Sequence, residues 1–331
     1  MQNETEFYNY DLPESSINQE PYIKPENSKL LLASNNTIIP FRKIEKFIPS
    51  NSLLIFNKSR VQKVRIVDEK STGGKIEFFI LEILSKYTAK CLIKSTDKKT
   101  LGKKYFFKYF NAEIINLNSE FFEVKFSENI LNLIENYGKV PLPPYIKDEN
   151  RKYKYYNNQF SISGFSVASP TAGLHFSNSK IEKLKKIGHE IVFINLDVNL
   201  GTFKPITTKY IEDHKIHSEK YYISEIDFFK ILEYKKLKKN ILCIGTTSLR
   251  AIESAFINNQ LVGETDLFIL PNTKLNLANQ LITNFHAPKS SLLSIVHNIY
   301  GDKWRELYEF ALNNKMKFLS FGDAVLFDIN E

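Results

Sequence analysis

Residues 241–256 read Ile-Leu-Cys-Ile-Gly-Thr-Thr-Ser-Leu-Arg-Ala-Ile-Glu-Ser-Ala-Phe, and their order of residue types decides the fold. Ile241 to Ile244 form an apolar run that reads as a buried strand. Gly245 and three hydroxyl residues follow, after which Leu249, Ile252 and Phe256 recur at helical spacing on one face. Strand, glycine turn and helix make a βα unit. The start of such a helix carries free N–H groups that hydroxyls can cap or a ligand can use. Capping accounts for Thr247 or Ser248. A glycine with three consecutive hydroxyls fits ligand contact as well, so Thr246, Thr247 and Arg250 are candidate substrate-binding residues. The glycines form neither a dinucleotide nor a P-loop fingerprint, so nothing here points to NAD or ATP.

The same texture extends outward from this unit. Glu190 to Val198 reads as a buried strand, preceded by a helix that a capping box at Ser179–Glu182 opens and Gly188 ends. Ser224 to Asn240 reads as a helix whose last turns hold Lys235, Lys236, Lys238 and Lys239, which suits the helix dipole. Leu53 to Phe56 is a fully apolar strand ending in Asn57-Lys58-Ser59-Arg60, at the carboxyl end where open α/β sheets place their sites. Asn57 and Arg60 are therefore candidates, against the plainer reading of a surface turn. The alternation predicts an α/β domain with helices covering a mainly parallel sheet. The first 50 residues read as extended and irregular, punctuated by prolines at 13, 21, 25, 40 and 49.

Residues 61–126 differ. Six short β-rich runs (VQKVRIV, KIEFFILEIL, YTAKCLIK, KKYFFKYF, AEIINL, FFEVKF) follow one another without a helix, which predicts a small closed or nearly closed β-barrel. Ser127 to Tyr137 then makes a short amphipathic helix stopped by Gly138, and Pro141, Pro143 and Pro144 hold the next stretch extended. The expected partition is a discontinuous α/β catalytic domain, 1–60 with 128–331, and an inserted all-β barrel, 61–127.

Of 331 residues, 45 are Lys or Arg and 37 Asp or Glu, giving a net charge of +8. That balance favours a polyanionic partner, RNA or DNA first, although lysines scattered along a Lys- and Asn-rich chain also fit a composition bias. Cys91 and Cys243 lie in apolar runs and read as buried thiols of a reducing compartment. The polar N-terminus does not read as a signal peptide, and no apolar run reaches the ~18 residues of a membrane span. A cytoplasmic monomer is expected.

Three further clusters carry chemistry-bearing residues. Ser166–Phe176 (SVASPTAGLHF) places Thr171, Gly173 and His175 in a tight turn at a loop-to-helix junction, where His175 is either a structural residue or a ligand contact. His214-Lys-Ile-His217-Ser-Glu219 precedes a strand; on that strand His217 and Glu219 would share a face ~6.6 Å apart, close enough for a carboxylate to orient an imidazole. The same three side chains would otherwise suit zinc. Leu281–Ser291 (LITNFHAPKSS) offers Asn284, His286 and Lys289 around Pro288, ahead of a helix that Ser290 or Ser291 would cap. Asp323 follows Gly322 in a turn before the last strand, as a substrate contact or a plain turn residue.

Taken together, YDLP (10–13), FNKSRV, GGKIE, VPLPPYI, VASPTAGLHF, LGTFKPI, HKIHSE, GTTSLRAIESA, LITNFHAPKSSLLS and FGDAVLF resemble, in order from residue 8 to 327, the S-adenosylmethionine:tRNA ribosyltransferase-isomerase family of queuosine biosynthesis. The resemblance implies an α/β domain with an inserted small β-barrel. It also implies transfer of the ribosyl part of S-adenosylmethionine to the aminomethyl group of a 7-deazaguanine in tRNA, with rearrangement to an epoxycyclopentane and loss of adenine and methionine. Such chemistry needs a base near the carbon beside the sulfonium, an acid for adenine and a neutral amine. His175, His214, His217 and His286 would carry protons, with Glu219 as orienter. No cofactor or metal is implied; S-adenosylmethionine is a co-substrate and tRNA the partner. Lys58, Asp197, Asn199 and Leu270–Thr273 depart from the family pattern. Three other readings stay open: a diverged tRNA-binding relative without this activity, a metal-dependent hydrolase using His214, His217 and Glu219, and a methyltransferase, although the chain lacks a glycine-rich nucleotide loop after its first strand. His175, His217 and His286 are expected to converge on one pocket.

Overall fold

The computed structural model describes residues 3–71, 73–147, 155–199, 201 and 205–329. Its contacts divide the chain into two units, residues 1–60 with 143–331, and residues 61–142.

Among the described residues of the first unit, nine strands form one sheet. Its centre is parallel: β13 (Glu190–Leu196), β3 (Leu53–Asn57), β15 (Ile241–Ile244) and β17 (Gln280–Asn284) lie side by side. On one flank β14 (Glu219–Tyr222) and β16 (Val262–Thr265) continue antiparallel. On the other flank β18 (Ala324–Asp328) runs antiparallel to β17, then β1 (Lys29–Leu32) parallel to β18 and β2 (Thr37–Pro40) antiparallel to β1. Half of the strand pairings are thus antiparallel, and the expected mainly parallel sheet is a mixed one. The β1–β2 hairpin was hidden by the prolines, because Pro40 sits on an edge strand where its missing N–H costs no ladder bond.

Burial explains why the central runs are uniformly apolar. Leu53 and Ile55 of β3, with Ile241 and Cys243 of β15, pack on one face; Leu54, Phe56, Leu242 and Ile244 pack on the other. Helices α3 (Glu225–Lys236) and α4 (Thr246–Asn258) cover the first face. Helix α2 (Asn178–Lys186) and the turns Phe41–Lys46 and Thr171–His175 cover the second. Each buried Leu, Ile or Val contributes about 1.5–3 kcal/mol. Helices α5 (Ser291–Tyr300) and α6 (Trp304–Asn313) pack Leu293, Val296, Trp304 and Leu307 against Leu31, Val325 and Phe327. The cap lies two residues earlier than expected and is a single bond, not a capping box: Ser177 caps α2 by accepting from Lys180 N.

In the second unit β5 (Arg65–Glu69), β6 (Lys75–Ile83), β7 (Thr88–Lys94), β8 (Lys104–Phe106), β9 (Asn111–Leu117) and β10 (Phe122–Phe126) match the six runs. Helix α1 (Ile130–Tyr137), capped by Asn129, leads into β11 (Gly138–Lys139), which pairs with β5. That pairing moves the boundary from the expected 127 to 142. The sheet order is β11-β5-β6-β7-β10-β9-β8, all antiparallel, with irregular registers in β6–β7 and β9–β10. Such bulges bend a sheet. Ser71 N donates to Phe106 O, tying the β5–β6 turn to β8, but no ladder among the described residues closes the ends. The sheet is curled and open, not a fully closed barrel. The remaining strands, β4 (Ser59–Val61) and β12 (Ser163–Ser166), form a separate pair.

Candidate functional site

The βα unit that opened the sequence ends in a cavity of about 280 Å³. It sits at the carboxyl ends of β13, β15 and β17, where open sheets bind ligands. Gly245 takes φ +91, a conformation that a side chain disfavours, and lets the chain turn from β15 into α4. No side chain caps α4, so its first turn faces the cavity through Thr246 and Thr247. Opposite lie Ser169 and Thr171, then Thr283, Asn284 and His286 at the end of β17, with Tyr145, Ser290 and Ser320. None of the described lining residues is charged. The buried hydroxyls of Ser169 and Thr247 have no hydrogen-bond partner, a cost that a ligand would relieve.

Behind this wall His175 sets the geometry. Its ring stacks on Phe41, 5.0 Å between centroids. Ser28 Oγ donates to Pro25 O and lies 2.8 Å from His175 Nδ1, so Nδ1 carries the proton. Asn284 Nδ2 donates to Leu319 O and to His175 Nε2, leaving Asn284 Oδ1 to accept from Thr171 Oγ1 at 3.0 Å. His175 therefore fixes the amide that fixes a cavity hydroxyl; it is a positioning residue with both nitrogens engaged. Gly173 is required next door, since a Cβ there would stand 2.8 Å from Asn158 Nδ2.

Burial lowers the pKa of His175 from 6.5 to about 4 and that of His286 to about 3. Both rings are neutral at pH 7. His286 Nε2 meets Thr283 Oγ1 at 3.1 Å. Because His175 has a folded pKa below its unfolded one, its contribution to stability is complete above pH 6.5 and is lost as pH falls toward 4. By pH 5 the loss is about 2 kcal/mol. Unfolding free energies at pH 7 and 5 should fall about 2 kcal/mol less in His175→Asn than in wild type. An equal fall in both would show that the ring titrates normally.

The other expected site residues separate from this cavity, and the expected convergence of three histidines does not occur. His214 and His217 line a second, far smaller cavity with Glu219 and Arg250, and His175 borders a third. His217 is exposed and lies before β14, so it does not share a strand face with Glu219. Burial, then the neighbouring His217 charge, lower the His214 pKa. Glu219 pairs with the Arg250 guanidinium and accepts from Asn199 N at 2.8 Å, so the carboxylate that a metal would use already has a cation on it. Among the described residues no group of three or more His, Cys, Asp and Glu side chains is placed to hold a metal ion.

Asn57 spends its amide on Leu196 O, Leu196 N and Ser59 N, joining β3 to β13. Arg60 is exposed. Lys289 pairs with Glu6 at 2.6 Å and does not line the large cavity. Asp323 is fully buried and accepts from Tyr22 Oη, Lys29 N and Lys317 N. Asp197 accepts from Phe165 N and Ser59 Oγ, tying β4 to β12. Leu270–Thr273 closes a turn through Thr273 N to Leu270 O. Of LGTFKPI, residues 200 and 202–204 lie outside the described residues. Sequence reasoning missed Ser169, Thr283, Ser290, Ser320 and Tyr145 as cavity residues; only the PTAG and TNFH motifs adjoining some of them gave a signal.

A mixed α/β sheet with an uncharged, hydroxyl-lined cavity at its parallel strand ends has the form in which small ligands are held. A family model described as queuosine biosynthesis protein matches residues 5–327. S-adenosylmethionine:tRNA ribosyltransferase-isomerase of Vesicomyosocius okutanii is 38% identical over 332 residues, 98% of each chain. Its counterpart in Legionella pneumophila (strain Corby) is 35% identical over 338 residues, covering 98% of this chain and 99% of that one. The crystal structure of S-adenosylmethionine tRNA ribosyltransferase from Thermotoga maritima superposes with a TM-score of 0.54 at 27% identity, covering 97% of this chain and 99% of that one. The chain belongs to the queuosine biosynthesis family of S-adenosylmethionine:tRNA ribosyltransferase-isomerases.

Proposed function

We propose that this chain transfers the ribosyl part of S-adenosylmethionine to the aminomethyl group of a 7-deazaguanine in tRNA and isomerises it, giving epoxyqueuosine-tRNA, adenine and methionine. The observation that carries the reading is a full-length family match whose PTAGLHF, GTTSLR and TNFH motifs meet around one cavity. Its hydroxyls and amide suit ribose and a heterocycle, and the uncapped start of α4 suits the methionine carboxylate. In this reading Thr171, Thr246, Thr247 and Asn284 bind substrate, and His286 offers a neutral imidazole to the reacting groups. His175 positions Asn284. The sulfonium supplies the electrophilic activation, so no metal or other cofactor is required. We read the curled sheet of residues 61–142 as an inserted folding unit and the protein as cytoplasmic. Among the described residues no helix is long and apolar enough to cross a membrane.

Incubation with precursor tRNA and S-adenosylmethionine, in the presence of chelator, should release adenine and methionine and yield epoxyqueuosine on nucleoside analysis. Recovery of S-adenosylhomocysteine instead, or no adenine from a protein that binds tRNA, would overturn the reading.

A further inference from the structure

The second unit carries a charge asymmetry that the cavity does not explain. From Lys86 to Lys108 there are eight lysines and one acid, Asp97, whereas the whole chain has 45 basic to 37 acidic residues. On the sheet two of these lysines are matched: Lys90 pairs with Glu82 at 2.8 Å and Lys104 with Glu113 at 3.8 Å. Three more lie together in the connection between β7 and β8, which holds Lys98, Lys99 and Lys103. Lys70, from the β5–β6 turn, pairs with Asp97 at 2.8 Å. This hydrogen bond, with the charges of Lys103 and Lys99, holds the Asp97 carboxyl below its usual range. One carboxylate thus faces three ammonium groups and leaves a local surplus of positive charge. The bond from Ser71 N to Phe106 O holds the two loops together, and Leu101 and Phe106 stand exposed beside them (66% and 52%).

We infer that this rim, with Lys98, Lys99 and Lys103 at its centre, is a contact for the phosphate backbone of the RNA substrate. The inference rests on the tRNA reading above. Phosphates complement a cluster whose lone acid is already overcompensated, and a phosphate-bound lysine releases a counterion. The exposed Phe106 ring adds a surface on which an unpaired base can stack.

The test is a Lys98→Ala, Lys99→Ala, Lys103→Ala variant, compared with a variant carrying alanine at Lys235, Lys236, Lys238 and Lys239, which removes more charge from the α3 end. Unmodified precursor tRNA is titrated against each protein from 50 to 200 mM salt. The rim variant should bind about tenfold more weakly or worse at 150 mM, with a log–log salt slope about 2–3 shallower. Its melting temperature, KM for S-adenosylmethionine and kcat at saturating tRNA should stay at wild-type values, and the α3 variant should bind tRNA nearly normally. Wild-type affinity and slope in the rim variant, or an equal loss in the α3 variant, would overturn the inference. If the wild-type protein binds tRNA through the rim yet releases no adenine, the proposed activity fails and the rim assignment stands.

Discussion

His286→Ala should lower adenine release at saturating tRNA and S-adenosylmethionine by about 100- to 1,000-fold, the usual effect of removing one preorganised hydrogen-bonding group from a reacting centre. The motivation is position and protonation together. His286 is the histidine that lines the large cavity, and burial drives its pKa to about 3. A ring so reluctant to take a proton is neutral across the working range, so it acts by donating or accepting a hydrogen bond. Two consequences are measurable. The wild-type rate should show no limb near pH 6.5 that disappears in His286→Ala. His217→Ala, which alters an exposed ring in a different cavity, should cost less than about tenfold, below the usual general acid–base effect. A greater loss in His217→Ala than in His286→Ala would return the reacting centre to the second cavity.

The contrast between these histidines shows where sequence reasoning stops. Buried strands were legible because β3 and β15 are apolar on both faces, which no solvated element tolerates. The motif boundaries were legible for a similar reason: Gly245 and Gly173 occupy positions where a side chain would be strained or would clash. What each polar residue does was not legible. His175, His217 and His286 each follow a turn or a strand end, yet one is locked between Ser28 and Asn284, one is exposed, and one lines the cavity. Asp323 looked like a turn residue or a substrate contact and is a buried bracket for Lys29 N and Lys317 N. The Ser28 and Asn284 partners of His175, and Lys29 N for Asp323, lie more than a hundred residues away, which local spacing does not encode. Strand direction was obscured similarly. A uniformly apolar run fits parallel and antiparallel neighbours alike, so β18 beside β17 carried no sign of its orientation.

The largest stability effect is expected at Glu219. Its carboxylate was expected to orient a histidine, but it faces the Arg250 guanidinium, with the two side chains 3% and 7% exposed. Arg250 Nε also donates to Leu267 O at 2.9 Å, while Nη2 is buried without a partner. The cation is thus already short of one acceptor. Glu219→Ala would take away its carboxylate partner, and breaking a buried pair from one side costs about 3–5 kcal/mol. Arg250 lies one turn along α4 from Thr246 and Thr247, so strain relieved by moving that helix would disturb the cavity wall as well. Denaturant unfolding should therefore show Glu219→Ala severely destabilised. A Glu219→Leu, Arg250→Met double variant should recover most of the loss, because an apolar pair carries no desolvation penalty. A single variant within about 1 kcal/mol of wild type would mean that solvent reaches the pair and that its burial is not what holds α4 in place.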